Sequence, residues 1–123
     1  MLDTVTDLRA RLADPTLLET RACVAGDWVE AADGRTFAVT NPARGDVIAR
    51  VPDLGPAEVA RAIEAAHAAM KDWAARSAKE RAGVMRRWFD LMMAAQDDLA
   101  AILTAEMGKP LAEAKGLPIS AVR

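Results

Sequence analysis

SAKERAGVMRRWFDLMMAAQDDLAAILTAEM, Ser77–Met107, is the stretch that decides what this chain can build. Val84, Trp88, Met92, Ala95, Leu99 and Ile102 recur every three or four residues, the spacing of one face of an α-helix. The run opens on Ser77-Ala78-Lys79-Glu80, a capping box in which serine and glutamate each satisfy a free backbone N–H of the first turn. Asp97-Asp98 is the kind of acidic pair that restarts a helix, so the run reads as one kinked helix or as two. Gly108 is placed to cap its end, and Pro110 opens a last short helix over Leu111–Lys115. Trp88 and Phe89 are neighbours and point about 100° apart, which makes the apolar face wide. A face that wide suits a helix lying on a sheet better than one leg of a two-helix hairpin.

A second amphipathic helix precedes it. Gly55-Pro56 starts this helix with proline at the first helical position, where the missing N–H does no harm. Val59, Ile63, Ala66, Met70 and Trp73 then form one stripe. The two helices, about 57–74 and 78–107, can cover part of each other as a hairpin joined by Ala74–Ser77. Neither stripe is suited to water. Burying Trp73, Trp88, Phe89 and Met92 is worth about 2 kcal/mol each.

The first half is strand and turn. ACVA and WVEA read as two short strands around Gly26-Asp27, a dipeptide suited to a tight hairpin. Asp33-Gly34 marks another turn. TFAVTNP and GDVIARVP follow as two further strands, broken at Asn41-Pro42 and Arg44-Gly45-Asp46. These antiparallel strands, about 22–51, are too small to be the whole sheet the helices need. Ahead of them, Leu2–Leu12 reads as a short helix. Pro15 begins a second helical piece through Leu17, Leu18 and Arg21, with Asp14 as its cap.

Composition narrows the function classes. The 123 residues suffice for one domain, and 28 of them are alanine, which favours helices packed closely against something. A net charge of −2 argues against a nucleic-acid binder. Lys79–Arg87 is locally basic, but its charges are spread around a helix and read as a solvated face. No apolar run approaches the ~20 residues that span a bilayer. The N-terminus carries early acids and lacks the apolar stretch of a signal peptide. A cytoplasmic protein without a nucleic-acid or membrane partner is the expectation.

Few residues are candidates for chemistry. The single cysteine, Cys23, excludes an internal disulfide and reads as a small hydrophobe in the first hairpin. His67, the only histidine, lies mid-helix between alanines. Lys109 reads as a cation near a helix C-terminus rather than an anion ligand. Asp97 and Asp98 face different sides and make a poor acid/base pair. Of the six methionines, Met85, Met92, Met93 and Met107 fall on one amphipathic segment and read as core. No two of the seven glycines form a Gly-x-Gly pair, so there is no phosphate cradle.

Three segments carry a family resemblance: VTNPARGDVIARVPDLG (Val39–Gly55), SAKERAGVMRRWFDLMMAAQDDLA (Ser77–Ala100) and EMGKPLAEAKG (Glu106–Gly116). Over Thr20–Gly116 the chain resembles the amino-terminal portion of the aldehyde dehydrogenases, and Trp88–Met93 is most similar to the bacterial succinate-semialdehyde dehydrogenases. The resemblance implies an α/β fold of which this chain is an N-terminal fragment, without the parallel cofactor-binding sheet. It also implies NAD(P)-dependent oxidation of an aldehyde to an acid. In that chemistry a cysteine thiolate attacks the carbonyl, hydride passes to the nicotinamide, and a glutamate-activated water hydrolyses the thioester. The implied reaction is succinate semialdehyde to succinate, a step of 4-aminobutyrate breakdown. None of the family's catalytic or cofactor-binding residues falls on a matching position of this chain, and no metal site is expected.

The implied organisation is an N-terminal helical arm (1–19), a partial cofactor domain (20–116) and a tail outside the family pattern (117–123). Two departures stand out. Met107 occupies a usually polar position, and Pro118 stops a helix that relatives continue. A frameshift or premature stop soon after Gly116 is the expectation. Full-length relatives bind NAD or NADP and are homo-oligomers. The segment alone is expected to bind no cofactor, to be inactive, and to self-associate or aggregate. The alternative is a stand-alone helical module that docks a partner protein through its apolar stripe.

Overall fold

The computed structural model describes residues 8–116. After one turn of 3-10 helix at Pro15–Leu17, the elements are β1 (Ala22–Val24), β2 (Asp27–Val29), β3 (Thr36–Thr40), β4 (Val47–Pro52), α1 (Pro56–Ala75), α2 (Ala78–Ala94), α3 (Gln96–Met107) and α4 (Leu111–Ala114). Leu8–Ala10 are helical. The part of the expected Leu2–Leu12 helix before Leu8, and the tail with Pro118, lie outside the described residues.

Asp14 caps the first turn as expected, its Oδ1 accepting the Thr16 N–H at 3.0 Å. The helical piece expected through Arg21 nevertheless ends at Leu17. Glu19 explains the stop, because its Oε1 accepts the N–H groups of Thr20 and Arg21 at 3.0 and 2.9 Å. A side chain that takes up backbone donors in this way competes with the helix for them.

The strands form two separate antiparallel pairs, β1 with β2 and β3 with β4. The first turn lies on Ala25-Gly26, one residue earlier than the expected Gly26-Asp27, and Asp27 opens β2. Both turn residues have positive φ, 55° and 89°, as a two-residue hairpin loop of this hand requires. This register gathers Ala22, Val24 and Val29 on a half-buried face and sends the cross-strand pair Cys23 and Trp28 outward. Cys23 is therefore exposed rather than packed as a small hydrophobe.

In the second pair, Val39 faces Ala49 and Thr40 faces Val47, which leaves Ile48 as an extra residue. The bulge breaks the in-out alternation, so Ile48 and Ala49 are buried side by side. The connecting turn is held by Asn41, whose Oδ1 accepts the Ala43 N–H at 2.9 Å, and by Gly45 at φ 77°.

The helical half follows its capping signals. Ser77 and Glu80 form the expected box, with Ser77 N–H donating to Glu80 Oε2 at 2.8 Å. Gly108 ends α3 in the left-handed conformation, φ 74°. Between the two readings of Ser77–Met107, the structure shows two helices, separated at Ala95 (φ −102°, ψ 15°).

Burial departs from expectation in a consistent way. The core is built on α3, where Leu8, Leu12 and Leu18 pack with Ala101, Ile102 and Ala105. Neither α1 nor α2 contains a buried residue, so the expected mutual cover of the two long helices is not made. Met85, Met92 and Met93 are half-buried, while Met107 is exposed rather than core.

Candidate functional site

The residues singled out for chemistry stay apart. Cys23 lies exposed on β1, His67 is exposed midway along α1, and Lys109 pairs with Glu113 at 3.8 Å. No group of three or more His, Cys, Asp or Glu that could hold a metal occurs among the described residues. Asp97 and Asp98 go separate ways. Asp97 pairs with Lys115 at 2.7 Å, whereas Asp98, only 9% exposed, turns inward. Its Oδ1 and Oδ2 accept the N–H groups of Ala13 and Asp14 at 2.9 and 2.8 Å. The sequence marked Asp98 as a helix starter; its clamp on the N-terminal arm spans 85 positions and left no local signal.

The phosphates of dinucleotides rest on an unoccupied helix N-terminus behind a glycine-rich loop. Here the N-termini of the three long helices hold the protein's own acids. Glu58 caps α1, accepting from Gly55 N–H at 2.7 Å and also from Ala32 N–H at 2.8 Å. Glu80 does the same for α2, and Asp97 and Asp98 sit in the first turn of α3. Hydrogen bonds from Gly55 and then Ala32 hold the Glu58 carboxyl below its ordinary range.

The segments Asn41–Gly45 and Glu106–Leu111, far apart in sequence, meet in space. A Cβ on Gly108 would lie 3.1 Å from Pro42 Cγ, so glycine is needed there for closeness as well as for its φ. Beside this contact lies a groove of about 390 Å³ with Leu8, Ile48 and Leu111 in its wall. Thr104 Oγ1, also in that wall, is buried without a hydrogen-bond partner among the described residues. Desolvation pushes the nearby Glu106 carboxyl above its ordinary range, although the residue as a whole stays exposed.

What the described residues present most prominently is apolar surface. On α1, Ile63, Met70 and Trp73 are 64%, 56% and 37% exposed; on α2, Trp88 and Leu91 are 55% and 65% exposed. No helix of the described residues is long and apolar enough to cross a membrane.

Comparison with known proteins gives these elements a context. The profile of the aldehyde dehydrogenase family matches residues 28–122, a match that runs past Gly116. The 3-sulfolactaldehyde dehydrogenase of Pseudomonas putida is 57% identical over 105 residues, covering 85% of this chain and 22% of that protein. The glutarate-semialdehyde dehydrogenase of Pseudomonas aeruginosa is 56% identical over 106 residues, covering 86% and 22%. The crystal structure of succinate-semialdehyde dehydrogenase from Burkholderia pseudomallei matches with a TM-score of 0.86 at 53% identity, over 91% of this chain and 23% of that one. Short antiparallel strands followed by helices are thus the N-terminal portion of that fold. The chain spans less than a quarter of the length of these relatives.

Proposed function

This chain belongs to the aldehyde dehydrogenase family, and from that premise we propose that it is the opening portion of a cytoplasmic NAD(P)-dependent enzyme. In this reading residues 20–116 begin the cofactor-side domain and residues 1–19 form its arm. The enzyme oxidises an aldehyde that carries an anionic group at its far end, with succinate semialdehyde as the leading substrate. One observation carries the substrate class. The relatives are named for 3-sulfolactaldehyde, glutarate semialdehyde and succinate semialdehyde, each an aldehyde with a remote sulfonate or carboxylate.

The residues described here supply the framework and none of the chemistry. The N-terminal ends of α1 and α2 are filled by their own carboxylates, and the one cysteine, Cys23, stands exposed on a hairpin. The 123 residues alone are therefore inactive.

Two measurements test the proposal. The purified chain, given each of the three aldehydes and NAD or NADP, yields no NAD(P)H; measurable turnover overturns the claim of inactivity. The endogenous protein, captured through a tag placed ahead of Met1, oxidises the anion-bearing aldehydes. A charge-assisted contact to the remote anion gives it a kcat/KM about tenfold or more above that for uncharged aldehydes of equal length. Equal rates for charged and uncharged aldehydes overturn the substrate class.

A further inference from the structure

We draw no further inference here: the strongest candidate, the groove of about 390 Å³ where Leu8 and Arg11 of the N-terminal arm meet Arg44 of the β3–β4 turn and Thr104 of α3, carries none, because Arg44 is already engaged by Asp46 and nothing in the structure shows what covers the groove.

Discussion

Replacing Asp98 tests the account of how the N-terminal arm is held. Both carboxylate oxygens accept backbone N–H groups, from Ala13 at 2.9 Å and Asp14 at 2.8 Å, and the side chain is nearly buried. A hydrogen bond to a charged group contributes about 1.5–3 kcal/mol. Ala13 and Asp14 are themselves exposed, so water replaces part of what is lost. Asp98→Ala is therefore expected to cost about 2–3 kcal/mol, below the sum of two full bonds. Asp98→Asn is the sharper substitution. It preserves shape but offers one acceptor and places an NH₂ against the second backbone donor, so it should cost at least as much as alanine. The arm's leucines Leu8, Leu12 and Leu18, which pack on α3, are expected to loosen with it. Urea unfolding gives the global cost, and hydrogen exchange at the Ala13 and Asp14 amides gives the local one. If Asp98→Asn keeps wild-type exchange at both amides, or costs less than about 0.5 kcal/mol, the clamp is not what holds the arm.

Ala25 occupies the left-handed region at φ 55°, which disfavours an L-residue by about 1–2 kcal/mol. Ala25→Asn should therefore raise stability by about 0.5–1 kcal/mol, seen as a higher urea midpoint with an unchanged slope. Gly108→Ala should cost about 1–3 kcal/mol through its φ of 74° and the 3.1 Å approach to Pro42. Adding Pro42→Ala relieves the clash but not the backbone strain, so a double-mutant cycle should recover only part of the loss. Glu58 sets an acid limb on the stability profile. Its folded pKa lies below the ordinary 4.5, so its contribution is complete above that pH and lost as pH falls through the depressed folded value. Glu58→Gln should flatten this limb in an acid titration of helicity; an unchanged limb would assign the acid loss to other carboxylates.

The amino-acid sequence by itself determined whatever a few neighbouring residues can settle. Ser77 with Glu80, Gly55-Pro56, Asp14 and Gly108 each satisfy or terminate backbone groups within one helical turn, and the helices and their ends follow from them. The Asn41–Asp46 turn is local in the same sense, and the family was legible in contiguous motifs. The tertiary structure decided what depends on residues distant in sequence. Only strand register moved the first turn to Ala25-Gly26 and exposed Cys23, and only the bulge put Ile48 and Ala49 side by side in the core. Periodicity showed that α1 and α2 each carry an apolar stripe, but not that both stripes face away from the body. A stripe fixes which side chains share a face; which surface covers them depends on the packing of the whole fold.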